Sequence, residues 1–495
     1  MNISMNRRAF MGSAAATAVA AGTLKPQFAF AADQFSGIDA VGQAALVRQK
    51  KVTSLELVDA AIARINAVNP KTNAVVAKYF DEARKVAKSA LPGSPLTGMP
   101  YLIKDLNDIK GKIATSGSRL MAKHVGTVNS LMAQKAMDAG LVIVGKTNTP
   151  EFGLMASTES ILLGACHNPW NPGYSTGGSS GGAAAAVASG MLPVAHASDG
   201  GGSIRIPASS CGVFGLKPSR GRMAFTALEK MPGDIAVENC VSRSVRDSAM
   251  IFSLSEDNST HAPFKPTGFV SGPSKKRLKI AFSTLNYFGK EPHDDVRASI
   301  EATAKLCKLL GHEIIYVKNP VGGEEFIDSF LTVWASGPAQ LVALAKSHKL
   351  RPEDVLEPWT IGLAEFFAKK PKNAMAKSLA YFRKVEAATD AFMAQYDAWL
   401  TPVLNSTAPK LGEQAPTVPF ETLYKRITDY VTYTPIHNVA GTPAMSVPLG
   451  FGTNGLPIGS QFAAAKGGEG LLYALAYELE QAQPWAGKHA PVWAG

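Results

Sequence analysis

Residues 173–223 read GYSTGGSSGGAAAAVASGMLPVAHASDGGGSIRIPASSCGVFGLKPSRGRM. Two serine-bearing glycine clusters, 177–182 and 200–203, are joined by an alanine-rich run and a short apolar stretch. Glycine is used where backbone turns sharply or comes close to a ligand. Two clusters that each present a hydroxyl predict one site built from two loops. Between and after them the pattern predicts a helix over 182–190 and strands over 192–197 and 213–217. A flexible linker does not alternate with apolar elements in this way.

Upstream, Thr53-Ser54-Leu55-Glu56 is a capping box, and the apolar spacing after it predicts a helix through Val68. A strand is expected over 73–77 and a helix over 81–90. PYLIKD (100–105) is a short apolar strand that ends in Lys104. A helix over 130–139, stopped by Gly140, leads to the apolar strand 141–145, and 168–176 reads as loop. Downstream, 255–274 turns polar and predicts a surface excursion. Strand 278–283, helix 293–310 and strand 313–317 form a βαβ unit. Residues 324–396 are predominantly helical and carry Trp334, Trp359, Phe366, Phe367 and Tyr381. They predict a layer over the site. Strands over 442–450 and 456–462 and a helix over 470–483 complete the chain. Alternating strands and helices predict an α/β fold: one large domain, its sheet mixed, mostly parallel and twisted, with helices on both faces.

At 495 residues, with 46% hydrophobic and 18% charged side chains, the composition is that of an ordinary globular protein. Residues 1–31 are set apart. Arg7-Arg8 precede a weakly apolar stretch, and Ala29-Phe30-Ala31 forms a small-x-small exit, as in a secretory signal peptide. The paired arginines resemble the twin-arginine export signal, which implies a periplasmic or secreted protein. The stretch is too short and too rich in Ala and Gly to span a bilayer stably. The formal charge of +11 falls to +8 without Arg7, Arg8 and Lys25. The remaining basic residues are scattered, and the cluster Lys275, Lys276, Arg277, Lys279 reads as a solvated loop rather than a nucleic-acid footprint. Cys166, Cys211, Cys240 and Cys307 have no close spacing and read as buried small hydrophobes. Neither a metal site nor a cofactor is expected.

The chemistry of the glycine clusters divides into rival readings. GGSSGG lacks the GK[ST] ending of a phosphate-binding loop. It formally matches the G-x-S-x-G nucleophile elbow, but that elbow needs a strand directly before it, and here the chain arrives through Pro169, Pro172 and Gly173. His196, Asp199 and Ser203 form a Ser/His/Asp set by adjacency alone. His196 lies inside an apolar strand and reads as a core histidine.

GGSSGG (177–182), DGGGSIR (199–205), CGVFGLKPS (211–219) and IKD (103–105) together resemble the amidase signature family of serine hydrolases. KTNTPEF (146–152), NPWN (168–171), HNVAGTPAMSVPLG (437–450) and LPIGSQF (456–462) extend the resemblance, from about Val47 to Trp485. It implies a Ser–Ser–Lys triad: Ser203 as nucleophile, Ser179 as bridging serine within a cis Ser179–Ser180 peptide, and Lys104 as base. A lysine accepts a proton only when neutral, and burial favours that form. Asp105, next along the strand, should point to the opposite face. The N–H groups of Gly200, Gly201, Gly202 and Ser203 are expected to hold the oxyanion. Many relatives carry a side chain where Gly200 stands, which implies a more mobile loop. Ser180, Asp199 and Arg205 take supporting roles, and Gly153, Met155, Thr158 and Trp334 line the substrate pocket.

The implied activity is hydrolysis of a small linear or cyclic amide through an acyl-enzyme, with a small-molecule substrate and neither a nucleic-acid nor a stable membrane partner. A homodimer is left open. The NPWN and DGGGSIR details resemble the branch acting on 6-aminohexanoate oligomers. Aryl acylamides, carbamates and esters are alternatives. So are a glutaminase-type amidotransferase subunit and a non-catalytic binding protein on the same scaffold.

Overall fold

A fully buried helix of glycine, alanine and one valine packs beside the strands that carry the site. The structure, a computed structural model, describes residues 33–223 and 232–494. Within it the Gly181–Ala188 helix is buried at every residue. A Cβ on Gly182 would come within 2.3 Å of the Asn148 backbone nitrogen, and one on Gly181 within 2.2 Å of Thr176 Oγ1. The two glycines are therefore a packing requirement: they let the start of the helix press against the Asn148 backbone and Thr176.

Those strands belong to two sheets. The smaller has the order Val75–Lys78, Val142–Thr147, Pro100–Lys104. The larger has eight strands, ordered Glu313–Tyr316, Lys279–Phe282, Ala398–Pro402, Pro457–Ala463, Ala444–Phe451, Phe214–Lys217, Val237–Ser242, Val194–Asp199. From Gln34 onward the chain forms one compact unit. The expected βαβ unit is present: Lys279–Phe282 pairs in parallel with Glu313–Tyr316 through the Asp294–Leu309 helix.

The expectation of a mostly parallel sheet is corrected. In the large sheet only that pair and Lys279–Phe282 with Ala398–Pro402 run parallel; every other neighbouring pair is antiparallel. Strands such as Pro100–Lys104 and Ala398–Pro402 are buried along their whole length. A strand covered on both faces is apolar throughout in either orientation, so its composition does not encode direction. The expected loop at 168–176 also contains pairing, of His167–Asn168 with Asn171–Ser175. The polar excursion after Ser255 is not wholly superficial. Glu256 is buried, accepts the backbone N–H groups of Thr267 and Gly268, and pairs with Arg222.

Elsewhere local chemistry matches local structure. The capping box closes in both directions, with Thr53 Oγ1 accepting from the Glu56 N–H and Glu56 accepting from the Thr53 N–H. It starts the Ser54–Thr72 helix, whose Leu57, Val58, Ala61, Ile62, Ile65 and Val68 face the core. The 324–396 layer consists of the helices Glu324–Ser347, Pro352–Val355, Pro358–Ala368 and Ala374–Met393. Its Phe326, Phe330 and Val333 pack in one cluster with Ala281 and Trp399 of the large sheet. All four cysteines are buried free thiols.

Replacing Gly182 with Ala places a methyl group against the backbone of Asn148 and Ala74, so the variant should lose roughly 1–3 kcal/mol of stability. A thermal melt overlapping that of the parent protein would contradict the packing assigned to this helix.

Candidate active site

The Pro100–Lys104 strand ends by carrying a lysine into the protein interior. Lys104 is fully buried, and its Nζ lies 2.7 Å from Ser179 Oγ, 2.9 Å from Ser180 Oγ and 3.0 Å from Ser198 Oγ. No carboxylate pairs with it among the described residues. Asp105 turns to the other face and pairs with Lys146 at 3.0 Å. Burial pushes the Lys104 amine down to about 7, against the opposing pull of Glu238 and Asp199. A substantial fraction of the side chain is therefore a free base near neutrality.

The two serines beside it differ. Ser180 Oγ donates to the Ser198 carbonyl at 3.1 Å and accepts the Ser198 N–H at 3.2 Å. Its proton is committed, so toward Lys104 it can only accept. Of the pair, Ser179 is the one with a proton free to give to a neutral amine. The Ser180 N–H also donates to the Ser203 carbonyl at 3.3 Å, tying the first glycine cluster to the second.

The cis peptide lies at Gly178–Ser179, not at the expected Ser179–Ser180 position. A Cβ on Gly178 would fall 2.4 Å from the Ser157 carbonyl oxygen and 2.7 Å from that of Met155. Gly178 therefore has no room for a side chain.

The second cluster is held by a buried ion pair. Arg205 donates to both Asp199 oxygens at 2.9 Å, and also to the Thr434 carbonyl, Gln461 Oε1 and Asn438 Oδ1. Asn438 donates back to Asp199 at 2.9 Å. Burial alone would raise the Asp199 carboxyl, but Arg205, Lys217 and Asn438 outweigh it and hold it well below the usual range. The same carboxylate accepts the Gly202 N–H at 2.7 Å. This corrects the expected oxyanion set: Gly202 is spent on Asp199, which folds back over its own loop. The N–H groups of Gly200, Gly201 and Ser203 make no hydrogen bond among the described residues. Gly202 has a positive φ of 137° with Thr434 Oγ1 2.4 Å from where a Cβ would sit, so this position requires glycine. Thr434 Oγ1 donates to the Gly201 carbonyl at 2.7 Å, fixing the loop from the far side.

Ser203, 7% exposed, lines a cleft that is open to solvent on one side. Its walls are Leu154, Met155 and Ala156, Ile206, Phe330 and Trp334 of the Glu324–Ser347 helix, Trp359, and Ile427 and Val431. Among the described residues that line it, only Ser203 and Thr428 have polar side chains, and none is charged. Of the four expected lining residues, Met155 and Trp334 reach the cleft. Gly153 lies instead beneath Ser179, whose Oγ would be 3.1 Å from its Cβ, and Thr158 Oγ1 donates to the Gly177 carbonyl at 2.9 Å. Both shape the first loop rather than the cleft. The sequence reading did not single out Ser198, Thr434, Asn438 and Gln461. The last two fall within HNVAGTP and LPIGSQF, so the motifs pointed to them without giving a role. Among the described residues no group of three or more His, Cys, Asp or Glu side chains is placed to hold a metal ion.

Comparison with known proteins identifies the family. A family model described as Amidase matches residues 56–473. The Mycobacterium tuberculosis protein AmiC, which carries the name of an amidase, is 36% identical over 94% of this chain and 98% of its own length. The 6-aminohexanoate-cyclic-dimer hydrolase of Pseudomonas sp. (strain NK87) is 35% identical over 91% of this chain and 96% of its own. Among solved structures, a 6-aminohexanoate cyclic dimer hydrolase complexed with substrate superposes with a TM-score of 0.85 at 32% identity, covering 92% of this chain and 99% of that one. The chain belongs to the amidase family and is an amide-cleaving hydrolase with an α/β fold.

Because the amine is protonated below its pKa and free above it, kcat/KM should climb as pH rises through about 7. A profile flat from pH 5 to 9 would exclude a titrating buried lysine from the rate-controlling step.

Proposed function

We propose that the protein hydrolyses a small, uncharged, largely apolar amide by a Ser203–Ser179–Lys104 relay. The observation that carries this is the buried, carboxylate-free Lys104 amine beside the one serine of the pair whose proton is uncommitted. Neutral Lys104 takes the Ser179 proton as Ser179 takes that of Ser203, and Ser203 Oγ attacks the carbonyl carbon. The N–H groups of Gly200, Gly201 and Ser203 receive the negative charge on oxygen, a contribution of about 3 kcal/mol per donor. The proton returns through Ser179 to the nitrogen, the amine leaves, and water releases the acyl group along the same path.

The cleft supports the substrate class. A charged group in a space walled by Leu, Ile, Met, Phe and Trp would lose its hydration without gaining a partner. A cyclic amide has no charged ends, which matches the named substrate of the Pseudomonas relative. The rings of Phe330, Trp334 and Trp359 favour aryl acylamides as a second reading, in keeping with a structural neighbour titled a bacterial aryl acylamidase. A panel of aliphatic, aryl and cyclic amides separates the two. Ser203→Ala and Lys104→Ala should each abolish turnover in protein that still folds, and near-normal activity in either variant would overturn the relay.

Location is part of the same proposal. Residues 1–31, which lie outside the described residues, are assigned as a twin-arginine export signal. Replacing Arg7-Arg8 with two lysines should leave the full-length precursor in the cytoplasm. Unchanged export after that replacement would contradict the assignment.

A further inference from the structure

His196 is a fully buried histidine that the relay does not use. It lies on the Val194–Asp199 strand, three residues before Asp199. Its Nδ1 accepts the backbone N–H of Lys104 at 3.3 Å, so the neutral ring carries its proton on Nε2. Among the described residues Nε2 has no hydrogen-bond partner, and Glu238 Oε2 lies 3.8 Å from it. Glu238 is on the neighbouring Val237–Ser242 strand, its side chain 12% exposed, and its Oε1 accepts from Asn107 Nδ2 at 2.9 Å. Asn107 in turn donates its backbone N–H to the Lys104 carbonyl at 3.1 Å. The contacts close a ring: Lys104 N–H to His196, His196 facing Glu238, Glu238 to Asn107, Asn107 back to the Lys104 carbonyl.

We infer that His196 and Glu238 are a positioning pair for Lys104, the histidine holding the lysine's backbone and the carboxylate setting how readily its amine gives up a proton. The inference rests on the Ser203–Ser179–Lys104 reading. An amine buried with no negative charge nearby would be neutral well below physiological pH and a weak base. One paired directly with a carboxylate would stay protonated. Glu238, held beside His196 and Asn107, favours the ammonium without pairing with it among the described residues. Besides His196 and Lys104, the titratable group that Glu238 acts on is Tyr101, and Asp199 also favours the charged form of Lys104. Burial raises the Glu238 carboxyl, but His196, Asn107 and the Lys104 charge outweigh this and lower it, so it is ionised where the enzyme works.

The test is the pH profile of kcat/KM on an amide that the parent enzyme hydrolyses. Glu238→Gln keeps the shape and removes the charge, and should move the acid limb to lower pH by roughly half a unit or more. Glu238→Asp, which keeps the charge, should leave the limb near the parent position. A merely structural role would lower activity at every pH without moving the limb, and that result overturns the inference. If Lys104→Ala is inactive while Glu238→Gln leaves the limb in place, this inference alone fails; if Lys104→Ala is active, the relay falls and the inference with it. Should Glu238→Gln not fold, neutron diffraction from crystals of the unaltered protein decides the matter. Deuterium on His196 Nε2 with none on Nδ1 is expected, and deuterium on Nδ1 overturns it.

Discussion

The site depends on one unfavourable act: the removal of a lysine amine from water without a carboxylate to meet it. Desolvation penalises the ammonium and leaves the neutral amine nearly untouched, which makes Lys104 a base near neutral pH. Everything around it is consistent with that need. Asp105, the nearest acid in sequence, is turned away and paired with Lys146. Three hydroxyls, from Ser179, Ser180 and Ser198, solvate the nitrogen without fixing its charge.

The nucleophile loop solves the opposite problem. There a full ion pair is buried, and such pairs are costly unless every remaining lone pair and proton finds a partner. Arg205 meets this condition with Asp199, Asn438, Gln461 and the Thr434 carbonyl. Because those partners come from the Pro435–Ala440 helix, the residue before it, and the Pro457–Ala463 strand, the loop is clamped by segments distant in sequence. Asp199 then fixes the Gly202 N–H, leaving those of Gly200, Gly201 and Ser203 without protein partners beside the cleft.

Much of this was legible in the residues. The glycine clusters, the strand-end lysine and the capping box each state a local requirement, and local requirements survive in sequence. The Gly181–Ala188 helix was readable for the same reason, its first two glycines being required by contact. Strand direction was not readable, because buried strands are apolar on both faces whichever way they run. The loss of Gly202 as a donor depends on a contact with Asp199 that only the fold creates. The cleft was half seen: Met155 and Trp334 were found, while Gly153 and Thr158 proved to support the loop behind it. His196 was dismissed as a core histidine. It is one, yet its ring nitrogen holds the backbone of Lys104.

The central claim is that Ser203 is the activated nucleophile and Lys104 its base through Ser179. Labelling with a fluorophosphonate, followed by mass spectrometry of the digested protein, tests it most directly. The predicted result is a single adduct on Ser203, formed faster as pH rises through about 7 and lost in Lys104→Ala. An adduct on Ser179 or Ser180, or labelling of Ser203 at parent rate without Lys104, would contradict it.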